Sequence, residues 1–223
     1  TRTEESVKIF RKELGLDKPY HVRYVNWLTS AIQGDLGSTF SGRNATYANQ
    51  PQQNTARSVS SLLKPRLFNT FFLAAMTAII AIPLSLILGI TAALFRNSIY
   101  DRTVNASALT TISMPEFFVA YILIIYLASI NQFFPSLSNV TSSTPFFERI
   151  YLSVLPALTL TLVTVAHMMR MTRASIINLL SSPYIEMARL KGISKTQVII
   201  KHALPNAWAP IANIIAFNLA YLI

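Results

Sequence analysis

The chain has 223 residues, of which 52% are hydrophobic and 13% are charged. This argues against a soluble globular protein, because soluble domains carry about 25% charged residues. The absence of cysteine excludes disulfides and thiolate metal sites, and three scattered histidines form no metal cluster, so we predict neither a metal nor a cofactor. The net charge of +10 would suit nucleic acid unless the positions of the basic residues explain it otherwise.

Residues 1–66 contain two amphipathic stretches and one polar stretch. Apolar residues at three- and four-residue spacing predict short helices at 4–14 and 19–32. The aromatic residues of the second helix fit either the headgroup level of a membrane or a packed protein surface. Residues 41–61 are rich in Ser, Asn, Gln and Thr and predict an exposed loop, because they cannot bury enough apolar surface to fold alone.

Residues 67–223 contain long runs with almost no charge. Each run has about 20 residues or more, which is the length a helix needs to cross a hydrocarbon core. We therefore predict four membrane spans, at about 67–95, 104–130, 151–171 and 203–223. A soluble protein with buried core helices is the alternative, although core helices seldom run uncharged for this length. The predicted fold class is an all-α, polytopic helical membrane protein.

The basic residues between these spans predict their orientation. Eight of the nine lysines and arginines after residue 66 lie within 96–102 and 170–201, and the intervening loop has only Arg149. By the positive-inside rule both basic segments face the cytoplasm, and residues 1–66 are extracytoplasmic. Membrane topology thus explains the positive charge, and we predict membrane lipid rather than nucleic acid as a partner.

A few polar residues lie inside the predicted spans. Glu116 follows Pro115 in the second span, and an intramembrane acid is a functional hypothesis by default. Local unwinding at Pro115 and burial of a protonated Glu116 are the structural alternatives. Asn213 and Asn218 either line a pathway or form interhelical hydrogen bonds. At the end of the third span, Arg170 and Arg173 are expected to reach the inner headgroups and His167 to be a helix-end polar residue.

The stretch 184–205 is charged and lies between two apolar runs. Ser182 and Pro183 suit the start of a short helix, and Gly192 suits the left-handed residue that ends it. Ser194 and Gln197 predict a second capping box. The stretch contains four cationic residues and one acidic residue, which indicates a basic docking surface facing the cytoplasm. The cationic residues are Arg189, Lys191, Lys195 and Lys201, and the acidic residue is Glu186.

This stretch resembles the EAA motif, the cytoplasmic loop of permease subunits in binding-protein-dependent ABC importers. The residues that match are Glu186, Ala188, Gly192, Leu204 and Pro205. Met187 and His202 depart from the motif, where the family prefers Ala and often has Ile. Further segments resemble the dipeptide/oligopeptide/nickel permease branch, namely 14–19, 34–38, 113–118, 155–160 and 170–175.

The resemblance implies a type I ABC importer transmembrane domain with six spans, of which this fragment would lack the first and last. It implies a bacterial inner-membrane location and three kinds of partner: a second homologous permease subunit, two ATP-binding subunits and an extracytoplasmic solute-binding protein. The loop 172–202 would couple to an ATPase subunit, with Glu186 in a polar contact, Ala188 allowing close approach and Gly192 setting the bend. Pairing of Glu186 with Arg189 or Lys191 on the same helix is the alternative.

The chain itself has no GxxxxGK[ST] phosphate-binding loop, so we expect no catalytic residue and ATP hydrolysis in separate subunits. A secondary transporter or channel that uses Glu116 is the alternative function, and a non-transporting scaffold is another. The substrate stays open among peptides, nickel chelates, opines and glycosides, all of which are transported by relatives of this family.

Overall fold

A computed structural model describes residues 8, 11–12, 15–39 and 57–223, with the side chain of Lys195 left out. The chain divides into two compact units, Thr1–Phe68 and Asn69–Ile223. Most of the predicted helix 4–14 and most of the predicted loop 41–61 lie outside the described residues.

In the first unit, helix α1 spans Tyr20–Ile32, close to the predicted 19–32. An isolated antiparallel bridge joins Ser38, just before the polar stretch 41–61, to Ser58 near the end of that stretch. Helix α2 then begins at Val59, whereas the loop was predicted to continue to residue 61 and the span to begin at 67. The prediction placed this start too late, because polar residues beyond an apolar run can continue the helical hydrogen bonding in water.

Helix α2 spans Val59–Leu94 and continues into the second unit, where further helices follow it. They are α3 (Ile99–Ser113), α4 (Glu116–Leu123) with a π-helical extension (Ile124–Ile130), α5 (Phe146–Leu180), α6 (Pro183–Leu190), a short turn (Lys195–Gln197) with a π-helical stretch (Val198–Ala203), and α7 (Leu204–Leu222).

By length and composition, α2 and α5 can cross a membrane, and α3 with α4 and its extension would make a third span if counted as one bent helix. The second predicted span is therefore not a continuous helix, since it bends by 103° at Met114 and Pro115. Pro115 has no N–H and holds Met114 extended at ψ 137°, which ends α3. The local unwinding that the sequence left open is thus confirmed.

Helix α7 occupies the position of the fourth predicted span. It has 19 residues and contains three asparagines and two prolines. These residues lower its hydropathy, and it does not reach the apolarity of α2 and α5. The fourth span stays a prediction.

Helix α5 is longer than the predicted third span, 151–171, because it has 35 residues and continues to Leu180. Its C-terminal turns lie in what was predicted as the start of the loop at 172. The reason is packing: Ile176 is fully buried in a cluster with Ala93 of α2, Ile199 of the π-helical stretch, and Ala207 and Ile211 of α7. Burial of these side chains stabilises helical turns beyond the apolar run.

A buried arginine joins the N-terminal end of α5 to its surroundings. Arg149 is 5% exposed. It donates from Nη1 to Oδ1 of Asn69 at 2.5 Å and from Nη2 to the carbonyl of Thr141 at 2.8 Å. Its guanidinium carbon lies 5.7 Å from the ring centroid of Phe72, so a cation–π contact adds to the hydrogen bonds. Arg149 thereby ties α5 to α2 and to the loop 131–145.

Candidate functional site

Residues 183–205, called the 183–205 segment, comprise the stretch 184–205 and the helix start at Pro183 just before it. The segment begins where the sequence predicted. Ser182 holds the N-cap position of α6 with extended backbone angles, and Pro183 is the first helical residue. The side chain of Ser182, however, makes no cap hydrogen bond and donates instead to the carbonyl of Leu179 at 2.5 Å. The position was predicted correctly, but the hydroxyl donates back to the end of α5 and accepts no hydrogen bond from α6.

Gly192 ends α6 as predicted, with φ +77°. Its N–H donates to the carbonyl of Arg189 at 2.9 Å, and the N–H of Ile193 donates to the carbonyl of Ala188 at 3.3 Å. These two bonds are the pair of a Schellman motif, and Ile193 packs near Ala188 as that motif favours. A Cβ at residue 192 would meet nothing within 4 Å. The requirement for glycine therefore comes from the backbone angle and not from lack of space.

The segment has two arms, one on either side of Gly192. The first arm is α6, and the second arm starts at Ser194. Its Oγ accepts a hydrogen bond from the N–H of Gln197 at 3.4 Å, which is one of the two bonds of the predicted capping box. The π-helical stretch follows, and α7 begins at Leu204 with Pro205 in its first turn. Leu204 is half-buried and Pro205 is exposed.

The two arms share a small apolar core. It contains Ile185 and Ala188 of α6 with Val198 and Ala203 of the π-helical stretch, all of them at most 7% exposed. Ala188 thus lies inside the segment, between its two arms. The core fixes the angle between α6 and the second arm, because buried side chains are close-packed and resist sliding.

The opposite side of α6 is exposed and largely apolar. Tyr184, Met187 and Leu190 follow one another at three-residue spacing and are 42%, 56% and 75% exposed. Beside them Glu186 is exposed and makes neither an ion pair nor a hydrogen bond with any side chain that the structure describes, so the predicted alternative of pairing with Arg189 or Lys191 is not found. The sequence analysis missed this apolar ridge, although its spacing relative to Ile185 and Ala188 signals it.

A second polar cluster lies where α3 begins beside α5. Arg173 forms a bidentate ion pair with Asp101, with Nε on Oδ1 and Nη2 on Oδ2, both at 2.7 Å. Asp101 is 3% exposed. The hydrogen bond from Arg173 holds the pKa of the Asp101 carboxyl below its usual 3.8, so it is ionised at neutral pH. Arg173 was predicted to reach the inner headgroups, and that is wrong because this buried carboxylate binds it.

No hydrogen bond joins the described side chains of the three residues predicted for a translocation path. Glu116 begins α4, is half-buried, and accepts a hydrogen bond from the hydroxyl of Tyr221 in α7. Asn218 donates to the carbonyl of Ile214 on its own helix at 2.8 Å. Asn213 is exposed, without a side-chain hydrogen bond to the described residues. The polar partner that joins Glu116 to α7 is Tyr221, which the sequence analysis did not single out.

Comparison with protein families gives a match over residues 85–223, to the "Binding-protein-dependent transport system inner membrane component". The chain belongs to this family. The matched region runs from the second half of α2 to the end of α7 and includes the 183–205 segment. The resemblance seen in the sequence is confirmed, and so are the helical, polytopic fold class and the inner-membrane location.

Individual relatives extend the match to nearly all of this chain. The "Probable peptide ABC transporter permease protein y4tP" of Sinorhizobium fredii is 32% identical over 100% of this chain and 67% of its own length. The "Glutathione transport system permease protein GsiC" of Salmonella choleraesuis is 30% identical, over 97% and 64%. The "Oligopeptide transport system permease protein AppB" of Bacillus subtilis is 31% identical, over 92% and 62%. The chain spans about 64% of the length of the relatives it matches first.

Proposed function

We propose that this chain is the permease component of an ATP-driven importer and that the 183–205 segment couples it to an ATPase subunit on the cytoplasmic side. The observation that supports this best is the build of the segment. A short helix with an exposed apolar ridge is held at a fixed angle by a Schellman glycine and a small core. A helix held in this way transmits a rigid-body movement, whereas a flexible loop would absorb it.

The chemistry of the docking face follows from the exposed side of α6. Tyr184, Met187 and Leu190 supply the apolar contact, and the exposed carboxylate of Glu186 supplies a polar one. Such a ridge fits the helix-in-groove mode of recognition, in which residues on one helix face fill a hydrophobic groove. Met187, where the related motif prefers Ala, enlarges the apolar contact. Ala188 acts from inside the segment by allowing α6 to pack closely on its second arm.

The partners follow from this function. ATP hydrolysis belongs to two separate ATP-binding subunits, since the sequence has no phosphate-binding loop. A second homologous permease subunit completes the translocation path, and an extracytoplasmic solute-binding protein delivers the substrate. The relatives are named for peptides, oligopeptides and glutathione, so a peptide or a peptide-like solute is the substrate class we propose.

Reversal of the charge at residue 186 tests the docking face in the complete importer. Glu186→Lys should abolish uptake and the stimulation of ATPase activity by the loaded binding protein, with normal insertion into the membrane. Glu148→Lys is the matched control, because Glu148 is also an exposed acid in the first turn of a helix, but of α5 rather than α6.

Substitution of the glycine bend tests the rigid geometry separately. Gly192→Val should abolish coupled ATPase activity, since a β-branched residue is strained at φ +77°. Gly192→Asn should retain most of it, because Asn tolerates the left-handed region. Normal uptake and normal stimulated ATPase activity in both Glu186→Lys and Gly192→Val would contradict the proposed function.

A further inference from the structure

The ion pair between Asp101 and Arg173 joins two elements that are far apart in the sequence. Asp101 lies in the first turn of α3, and Arg173 lies on α5, 72 residues later. Both oxygens of the carboxylate accept two hydrogen bonds each. Oδ1 accepts from Arg173 Nε at 2.7 Å and Asn105 Nδ2 at 2.7 Å, and Oδ2 accepts from Arg173 Nη2 at 2.7 Å and the N–H of Asn97 at 2.9 Å.

The same carboxylate fixes the turn that connects α2 to α3. Asn97 adopts φ +68°, a left-handed conformation that Asn tolerates, and its N–H points to Asp101. Ser98 caps α3 by accepting a hydrogen bond from the N–H of Asp101 at 3.1 Å. The turn, the start of α3 and α5 are thus held by one buried acid.

Arg173 lies next to the part of α5 that contacts the 183–205 segment. One turn further on, Ile176 is buried against Ile199 and against Ala207 and Ile211 of α7. A displacement of the segment therefore reaches α5 through a packed core. Apolar contacts between Ala108, Ala166 and Met169 also join α3 to α5, but they include no directional bond.

A bidentate arginine–carboxylate pair differs from such contacts because its planar geometry fixes both position and direction. We propose that Asp101 and Arg173 are positioning residues that transmit the movement of the 183–205 segment from α5 into α3. Helix α3 ends at the bend before Glu116, so the movement reaches α4 and its contact with Tyr221. This inference rests on the proposed coupling function.

The test uses the complete importer reconstituted in lipid vesicles, at matched amounts of inserted permease. Arg173→Lys keeps the positive charge and loses the bidentate geometry. Asp101→Asn keeps the shape of the side chain and loses its negative charge. In both we expect the substrate transported per ATP hydrolysed to fall by about two- to thirtyfold, the range known for residues that carry coupling between sites. Arg170→Lys is the matched control, because Arg170 is exposed one turn earlier on α5 and has no side-chain partner among the described residues.

Chemical rescue distinguishes a transmitting role from a general loss of stability. The chain has no cysteine, so Asp101→Cys and Arg173→Cys can be combined and bridged by bifunctional thiol reagents of increasing length. A bridge of matching length should restore transport per ATP to the double variant, and a monofunctional reagent should not. If no bridge length restores it, or if Arg173→Lys and Asp101→Asn both transport with the normal ratio, the inference is overturned.

If the proposed function is wrong, the result is different. Glu186→Lys and Gly192→Val would then both couple normally, whether or not the ion pair is intact. Failure of the present inference alone would leave those two variants inactive while Arg173→Lys and Asp101→Asn behave as the unsubstituted importer. Retention of the ATPase subunits on purification should be normal in the ion-pair variants, because α6 is unchanged in them.

Discussion

Gly89 allows α2 and α5 to approach more closely than any other residue would permit. A Cβ at this position would lie 2.7 Å from the carbonyl oxygen of Met169 and 2.9 Å from Cβ of Thr172. Ordinary contact begins at 3.4 Å, so the α5 backbone would have to retreat by about 0.7 Å. A carbonyl oxygen cannot rotate away as a flexible side chain can, and the two helices must separate.

Two opposing terms set the size of the effect. Overpacking costs about 1–3 kcal/mol, while replacement of a helical glycine by alanine gains about 1 kcal/mol of helix propensity. The net loss for Gly89→Ala is then about 0–2 kcal/mol, and Gly89→Val should lose more because it adds volume with less propensity. For a domain of this size, 1 kcal/mol corresponds to about 2–4 °C in Tm.

The assay is the apparent melting temperature of the purified membrane protein in detergent, compared at one heating rate because such proteins unfold irreversibly. Ala75→Val is the control, since it adds volume on the same helix at an exposed position. We expect the order of melting temperature to be Ala75→Val, Gly89→Ala, Gly89→Val, from high to low. If Gly89→Val melts no lower than Ala75→Val, the close contact between α2 and α5 does not exist as described.

Four further outcomes are expected. Gly192→Ala should cost about 1–2 kcal/mol of stability from backbone strain, measured as a lower Tm, with Gly192→Asn closer to the unsubstituted protein. Arg149→Ala should cost about 2–4 kcal/mol and expose the loop 131–145 to protease, since it removes a buried guanidinium together with its hydrogen bonds to Asn69 and Thr141. The pKa of Asp101 is lowered in the folded chain, so the stabilising effect of the carboxylate is fully present above the unfolded pKa near 3.8 and is lost as pH falls through the lower folded value. Asp101→Asn should therefore lower Tm by the same amount throughout the range from about pH 5 to 8. Glu116→Gln should retain ATP-driven uptake without a proton gradient, and loss of uptake there would instead favour a proton-linked transporter.

Local chemistry made some features of the candidate site predictable. Proline at the first helical position, glycine at the left-handed residue and serine before a new helix act within a few residues of themselves. Their positions in α6 and at Gly192 follow from neighbours in the sequence. The side chain of Ser182 escaped prediction because its acceptor, the carbonyl of Leu179, belongs to α5, whose end the sequence placed too early.

The bend at Pro115 could be predicted in part from the sequence. Proline restricts the backbone angles of the residue before it, so a break in the helix was one of the alternatives that the sequence left open. Which group lies opposite Glu116 depends on the packing of the helices, and that group is Tyr221, 105 residues away. No periodicity in either helix indicates that pairing.

The sequence by itself determined the helical membrane class, the positions of the basic segments, the glycine bend and the family resemblance, because hydropathy, charge and turn chemistry act along the chain. Tertiary structure alone decided which distant groups meet. Asp101 and Arg173 are 72 residues apart and Asn69 and Arg149 are 80 apart, and the fit of Gly89 against Met169 joins two separate helices. Such contacts depend on how whole helices pack, and a short sequence pattern does not record the residue on the other side.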